Sequence, residues 1–320
     1  MDISGFYRPV ESDLEKVDHK LQEIADVDTP HLAELLRYLV QDRGKHIRPA
    51  LTLLAGKFHK YNLTKLIPMA AAIELLHNAT LVHDDIVDNS PTRRGKPSIC
   101  TAWGQNSALL LGDYLFARAG KLVASTENLR VIDLFAQTLM TISSGELAQI
   151  GVIFDKKKVL EHYYDWISAK TSCLFSTATE SGAVLSEAPE VEINALKEYG
   201  HYFGMAFQII DDILDFTGQE AELGKPVGSD LIEGAVTLPI ILYVNSHQEI
   251  KIIKKAMENK DTKKIALIVK KVRNSPIIEE CLSIATDFSH KACKALDKLP
   301  DCEARTSLLG LVNFIIQRRK

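Results

Sequence analysis

Apolar residues recur along most of the chain at intervals of three and four, the spacing of one face of an α-helix. The run Leu32, Leu35, Leu36 and Leu39 shows this period, and alternating strand patterns are nearly absent. The pattern predicts an all-α protein. Its predicted helices cover residues 11–25, 31–41, 49–59, 66–87, 108–122, 129–150, 156–185 and 191–215, with further helices in the C-terminal third.

Several of these predicted helices are apolar on all sides, and such helices lie inside a protein rather than on its surface. We therefore expect a single large helical bundle with a central helix layer. The chain has 320 residues, and no change in composition along it demands a second unit. We predict one domain over residues 1–320.

Two of the long predicted helices end in the same acidic pattern. The two runs are Asp84-Asp85-Ile86-Val87-Asp88 and Asp211-Asp212-Ile213-Leu214-Asp215. In each run the first and last aspartates share one helix face, with the second aspartate beside them. The flanking residues are mainly apolar, so the repulsion between these carboxylates acts at reduced dielectric unless a cation neutralises it.

Oxygen ligands from two facing helices suit hard divalent ions, magnesium above all, which proteins hold with a few carboxylates, water and substrate phosphate. The alternative is that each run is an ordinary solvated helix face. That alternative explains a single run more readily than two runs that both lie among apolar residues.

Cationic and polar residues lie near both runs in the sequence. They are Lys45, Arg48, Arg93, Arg94, Lys170 with Thr171, and Lys225, together with His77 and Gln208, which precede the first and second runs. Guanidinium and ammonium groups bind phosphate well. His77 lies seven residues before Asp84, on the same helical stripe, although a lone helical histidine is more often structural. The set predicts a phosphate-bearing substrate, and no glycine-rich P-loop is present.

Composition narrows the class of protein. The net charge of −4 argues against nucleic-acid binding, and the five cysteines form no CxxC pair. No apolar run reaches the roughly 18 residues of a membrane span. We expect a cytoplasmic protein, with peripheral membrane contact as a further possibility.

Nine short motifs, in order, resemble those of the all-trans polyprenyl diphosphate synthases. They are Gly44-Lys-His-Ile-Arg-Pro49, Glu74-Leu-Leu-His77, His83-Asp-Asp-Ile-Val-Asp88, Arg93-Arg-Gly-Lys-Pro97, Gly112-Asp-Tyr-Leu-Phe-Ala-Arg118, Lys170-Thr171, Phe207-Gln-Ile-Ile-Asp-Asp-Ile-Leu-Asp215, Leu223-Gly-Lys-Pro226 and Thr237-Leu-Pro239. Each motif alone is weak, but the ordered set is specific. It covers most of the chain, and residues 276–320 contribute no motif.

The resemblance implies a bundle of the isoprenoid synthase type and a magnesium-dependent enzyme. That enzyme condenses an allylic prenyl diphosphate repeatedly with isopentenyl diphosphate. The implied leading magnesium ligands are Asp84, Asp88 and Asp211, with Asp85, Asp212 and Asp215 in support. The implied ligands of the allylic diphosphate are Arg93, Lys170 and Lys225, and those of isopentenyl diphosphate are Lys45, Arg48, His77 and Arg94. Thr171 and Gln208 would lie near the reacting carbons.

The residues upstream of the first run bear on product length. Members of the family that make short products carry an aromatic residue there, as the floor of the product tunnel. This chain has Ala79, followed by Thr80, with Leu76 one turn earlier. We predict a long-chain product, beyond geranylgeranyl. If Leu76 or another helix closes the tunnel, the product has geranylgeranyl or farnesyl length instead.

Departures from the family pattern leave the subunit composition open. Many members carry lysine where this chain has Ala235, and catalytic subunits of two-component synthases can lack that lysine too. A homodimer is expected, a second subunit is possible, and a long apolar product implies transient release at a membrane.

Two rival functions fit the sequence less well. The second metal motif of a class I terpene cyclase combines Asn or Asp with Ser or Thr and with Glu, whereas the second run here is all aspartate. A non-catalytic subunit usually lacks aspartates or phosphate-binding arginines, and none is missing here.

Overall fold

The computed structural model describes residues 3–41, 44–149, 159–218, 227–247 and 249–318. Its α-helices are α1 (Glu11–Gln22), α2 (Pro30–Gln41), α3 (Ile47–Gly56), α4 (Leu63–Val87), α5 (Ile99–Trp103), α6 (Gln105–Ala124), α7 (Leu129–Gln149), α8 (Val159–Ile167), α9 (Cys173–Leu185), α10 (Glu190–Thr217), α11 (Ser229–Glu233), α12 (Leu238–His247), α13 (Ile250–Glu258), α14 (Thr262–Arg273), α15 (Ile277–Ala295) and α16 (Glu303–Gln317). Short 3-10 segments are Ser4–Val10, Glu23–Ala25 and Leu296–Lys298, and Ser168–Ser172 forms a π-helical turn. The all-α prediction is confirmed.

Helices α4 and α10 form the centre of the bundle. The Asn62 side chain caps α4 by accepting a hydrogen bond from the Thr64 backbone N at 3.0 Å. Residues 69–76 of α4 are all buried, because the helix packs against α1, α3 and α6. Helix α10 packs against α9 and α15. This arrangement explains why both helices are apolar on several sides.

Helix α4 is also the one helix in the described ranges that is long and apolar enough to cross a membrane. Its apolar window is 61% buried inside the bundle. A central core helix passes such a test of length and composition, so the hydropathy of α4 is accounted for by packing.

The helix predicted over residues 156–185 is interrupted. Residues 156–158 lie outside the described part, and α8 and α9 are separated by the π-helical turn Ser168–Ser172. Gly204 of α10 approaches this turn closely, since a Cβ at Gly204 would lie 2.6 Å from the Ser172 Cα. Periodicity could not show the interruption, because a π-helical turn shifts the helical register without breaking the apolar pattern.

The loop after α4 contains a two-stranded hairpin that the sequence did not predict. Strand β1 (Thr92–Arg93) pairs antiparallel with β2 (Lys96–Pro97). Arg94 and Gly95 form the turn with φ angles of 52° and 77°, as a tight hairpin requires. The hairpin fixes Arg93 and Arg94 close to the first aspartate run.

Buried apolar residues form one cluster that extends from Tyr7 in the first 3-10 segment to Ile315 in α16. Every long helix named above contributes to it, which is consistent with a single domain. The boundaries of that domain stay a prediction.

Candidate active site

The π-helical turn Ser168–Ser172 lies between the two aspartate runs and contacts both helices. On one side, Lys170 Nζ is 3.9 Å from Asp84 Oδ2 at the end of α4. On the other side, Thr171 Oγ1 donates a hydrogen bond of 2.6 Å to Gln208 Oε1, just before the second run in α10. The structure therefore brings the two acidic helix ends to one site.

The first run holds crowded carboxylates. Burial raises the pKa of Asp84 to about 6; Lys170 opposes this shift, and Glu146 and Asp88 add to it. Loss of solvent also raises the pKa of Asp88. Ionising these groups together is unfavourable in the absence of another cation.

Asp85 points into the protein, with 4% of its surface exposed. Arg93 donates to it from Nε, which lies 2.9 Å from Asp85 Oδ1. Burial raises the pKa of Asp85, while the Arg93 hydrogen bond lowers it. This carboxylate therefore orients Arg93 beside the site, which suits a supporting role.

Asp211 is the more accessible aspartate of the second run, with 37% of its side chain exposed. The Arg318 guanidinium, near the C-terminus, lies 3.4 Å from it, measured from Nη1 to Asp211 Oδ1. The same guanidinium lies over the Phe207 ring, 5.1 Å from its centroid. Arg318 is thus a cation of the site that the sequence did not reveal.

Asp212 and Asp215 are each 1% exposed, and both accept hydrogen bonds from other parts of the bundle. Asp212 accepts hydrogen bonds from Tyr163 of α8 and from Gln208, at 2.5 and 2.8 Å. Burial raises the pKa of Asp212 well above its usual range, against the effect of these two donors. Asp215 accepts from the Ser229 hydroxyl at 2.8 Å and holds the start of α11.

Arginine and histidine side chains gather beside α4, and Asp211 is close enough to act electrostatically on Arg48. The Arg48 guanidinium lies 4.2 Å from the Phe175 ring centroid, and its Nε has no hydrogen-bond partner. Burial lowers the pKa of His77 well below its usual value, and Arg48, Arg94 and Arg93 lower it further. His77 is therefore neutral near pH 7, in a strongly positive environment that favours an anion.

Of the two remaining predicted cations, Lys45 and Lys225, the structure describes only Lys45. Lys45 is exposed next to this cluster, and burial of part of its side chain together with Arg318 lowers its pKa. A Cβ on Gly44 would lie 3.2 Å from Arg94 Nη2, so this glycine leaves room for the guanidinium. Lys225 lies outside the described residues, and its role stays a prediction.

The residues predicted to set product length lie in the buried part of α4. Leu76 and Ala79 are fully buried, and the Thr80 hydroxyl donates to the His77 backbone O at 2.8 Å. The helix offers only a methyl group at Ala79, where an aromatic floor would have to begin.

Three site residues were missed from the sequence: Glu146, Tyr163 and Arg318. Glu146 of α7 lies 2.9 Å from Lys170 Nζ, measured to Oε1. The close approach of Gly145 to Ala169 brings it there, since a Cβ on Gly145 would lie 2.5 Å from the Ala169 Cβ. In the sequence, the adjacent pair Gly145-Glu146 gave only a weak indication of a site residue, and no pattern pointed to Tyr163 or Arg318.

A cavity of about 670 Å³ lies between α7 and α8 and adjoins the π-helical turn. Met140, Tyr163, Trp166 and Val236 are among its lining residues. Trp166 connects it to the site, because Lys170 Nζ lies 5.7 Å from the Trp166 ring centroid.

The donor set fits magnesium that arrives with a diphosphate. In the described residues, no three acidic, histidine or cysteine side chains converge closely enough to hold a metal ion alone. Magnesium usually takes one or two carboxylates and completes its shell with water and substrate phosphate. Asp84, Asp88 and Asp211 supply accessible oxygens from two helices. Burial raises the pKa of Asp84 and Asp88, so a divalent cation would favour their ionised form.

The bundle and its paired aspartate helices define the isoprenoid synthase class of all-α proteins. The family model described as polyprenyl synthetase matches residues 29–274. The chain belongs to the polyprenyl synthetase family.

Individual relatives cover the whole chain. A heptaprenyl diphosphate synthase component 2 from Geobacillus stearothermophilus is 38% identical, covering 99% of both chains. The crystal structure of heptaprenyl diphosphate synthase from Staphylococcus aureus is similar, with a TM-score of 0.92 and 33% sequence identity. The match covers 100% of this chain and 99% of that one. The crystal structure of a polyprenyl synthase from Caulobacter crescentus, complexed with calcium and isoprenyl diphosphate, is also similar. Its TM-score is 0.94 and its sequence identity 32%, and the match covers 100% of this chain and 98% of that one.

Proposed function

We propose that the protein is a magnesium-dependent trans-prenyltransferase, a polyprenyl diphosphate synthase that adds isopentenyl diphosphate repeatedly to an allylic prenyl diphosphate. One observation carries the proposal. The turn bearing Lys170 and Thr171 joins the carboxylates of two helices, and the Arg48–His77–Arg94 cluster lies within electrostatic range of them. Two diphosphates can bind there with different partners, one through metal and one directly.

The reaction begins when the allylic carbon–oxygen bond breaks and the electron pair leaves with diphosphate. Bound magnesium supplies positive charge to that leaving group. Lys170, and Arg93 held by Asp85, add hydrogen-bond donors at the same place. These contacts strengthen as negative charge develops, so they lower the barrier more than they stabilise the bound substrate.

The second diphosphate, that of isopentenyl diphosphate, lies against Arg48, Arg94, His77 and Lys45. The alkene of this substrate attacks the allylic cation, a new carbon–carbon bond forms, and the proton that is lost passes to the released diphosphate. The rings of Phe175 and Phe207 lie 5.2 Å apart between Arg48 and Arg318. This apolar wall excludes water, which would otherwise capture the cation.

We propose a long-chain product, beyond geranylgeranyl. The proposal rests on the small side chain of Ala79 above Leu76 in α4, and the names of the heptaprenyl relatives support it. The alternative of geranylgeranyl or farnesyl length applies if Leu76 blocks the hydrocarbon.

We propose a homodimer, with a second protein as the alternative partner. Helices α6 and α7 expose large apolar side chains, namely Leu109, Leu110, Met140 and Leu147. The name component 2 carried by a relative, together with Ala235 in place of a lysine, supports the two-component alternative. The enzyme would act in the cytoplasm and release its apolar product at a membrane surface.

Purified chain, magnesium, farnesyl diphosphate and labelled isopentenyl diphosphate test the function, with products separated by length. The expected result is a ladder of polyprenyl diphosphates that ends beyond geranylgeranyl. Turnover only after a second protein is added would establish the two-component form. No turnover under either condition would refute the proposal.

A further inference from the structure

A chain of three hydrogen bonds, one buried and two partly buried, runs from α8 through the second aspartate run to Thr171. Tyr163 donates to Asp212 Oδ2 at 2.5 Å, and Gln208 Nε2 donates to Asp212 Oδ1 at 2.8 Å. Thr171 Oγ1 then donates to Gln208 Oε1 at 2.6 Å. Tyr163, Asp212 and Thr171 are 3%, 1% and 8% exposed, so little solvent competes for these bonds.

The chain has a fixed direction. Asp212 accepts a hydrogen bond on each oxygen, one from Tyr163 and one from Gln208. Because the Gln208 amide nitrogen is committed to Asp212, its oxygen faces Thr171 and accepts the single hydroxyl proton there. The lone pairs of Thr171 Oγ1 are left for another group. An oxygen presented in this way favours positive charge developing nearby.

Tyr163 supplies the first donor of the chain from outside the aspartate runs. Without its hydroxyl, Asp212 Oδ2 would be a buried acceptor without that partner, free to compete for the Gln208 amide. The amide could then rotate, and Thr171 would lose its fixed acceptor.

We propose that Tyr163 is a positioning residue, whose hydroxyl fixes Asp212 and Gln208 so that the Thr171 oxygen faces the reacting carbons. The inference rests on the proposed prenyl transfer. The inference adds to that proposed reaction a residue whose role does not require contact with substrate or metal. Its effect falls on the chemical step, because the diphosphate ligands Lys170, Arg48 and Arg94 are not members of the chain.

Tyr163→Phe tests the role, and Tyr164→Phe is a matched control. The phenylalanine keeps the ring that lines the 670 Å³ cavity and removes only the hydroxyl. Tyr164 is the next residue, half-buried, and its ring packs on Phe288 with centroids 5.9 Å apart. We expect Tyr163→Phe to lower kcat by about 10- to 100-fold, as loss of a supporting hydrogen bond commonly does. KM for isopentenyl diphosphate should stay close to wild type, and Tyr164→Phe should keep wild-type kcat.

Binding of magnesium and inorganic pyrophosphate, measured by calorimetry, counts the folded sites in each preparation. Rates are compared per binding-competent site, so partial unfolding does not imitate a loss of positioning. A kcat for Tyr163→Phe within about twofold of wild type, or a rise in KM alone, would overturn the proposal. Inactive wild-type enzyme would instead count against the proposed function.

A double-mutant cycle shows whether Tyr163 acts through Gln208. If it does, adding Tyr163→Phe to Gln208→Ala changes kcat little further, because the chain is already broken. If the two losses multiply, Tyr163 acts independently of Gln208 and the proposed chain is wrong.

Discussion

Replacement of Asp84 by asparagine should stabilise the metal-free protein while it abolishes turnover. The Asp84 side chain is 22% exposed. Burial and the negative charges of Asp88 and Glu146 raise its pKa, and the positive charge of Lys170 lowers it. Its pKa rises from the ordinary 3.8 to about 6. That rise corresponds to about 3 kcal/mol of unfavourable free energy when the folded protein ionises this group.

The sign of the pH dependence follows from the raised pKa. Below pH 3.8 the carboxyl is protonated in both states and has no effect on stability. Between that pH and about 6 the unfolded chain releases its proton first, so wild-type stability falls; above 6 the full penalty applies. Asp84→Asn removes this dependence. About 3 kcal/mol is an upper bound, since Lys170 loses one partner and keeps Glu146 at 2.9 Å.

Urea unfolding followed by circular dichroism, in the presence of a chelator, measures the difference across this pH range. Asp133→Asn, on the exposed side of α7, is the control and should change little. With magnesium and pyrophosphate, wild type should gain more stability than Asp84→Asn. No gain for Asp84→Asn above pH 6, or a gain that is the same at every pH, would refute the reasoning.

Three further outcomes are expected. Ala79→Tyr should shorten the product ladder, because the ring fills the buried position ahead of the first run; an unchanged ladder would place the tunnel floor elsewhere. Arg48→Lys should raise KM for isopentenyl diphosphate by about tenfold or more, since lysine lacks the planar guanidinium that lies over the Phe175 ring. An equal rise in KM for the allylic substrate would argue against separate sites. Arg318→Ala should lower the magnesium concentration needed for half-maximal rate, as Arg318 competes for Asp211; a higher requirement would mean that Arg318 helps to hold the diphosphate.

Local patterns predicted the helical class and the position of the aspartates within their helices. Asp84 and Asp211 follow from helical spacing and an apolar context, which depend only on nearby sequence. The motif order then related Arg48, His77 and Arg94 to one substrate, and the structure brings these three side chains close enough to act on one another.

Residues that act through long-range contacts could not be found in this way. Tyr163 and Asp212 are 49 residues apart, and Arg318 reaches Asp211 from a C-terminal segment without any motif. Their partners are set by how α8, α10 and α16 pack, which no local period encodes. The π-helical turn Ser168–Ser172 escaped prediction too, because its apolar positions continue those of the flanking helices.

A crystal structure with magnesium and a non-hydrolysable farnesyl thiodiphosphate would test the central claim most directly. The account predicts metal ions bound between the diphosphate and oxygens of Asp84, Asp88 and Asp211, with Lys170 in contact with the same diphosphate. A diphosphate bound elsewhere, or aspartate runs that hold no metal beside it, would contradict the account.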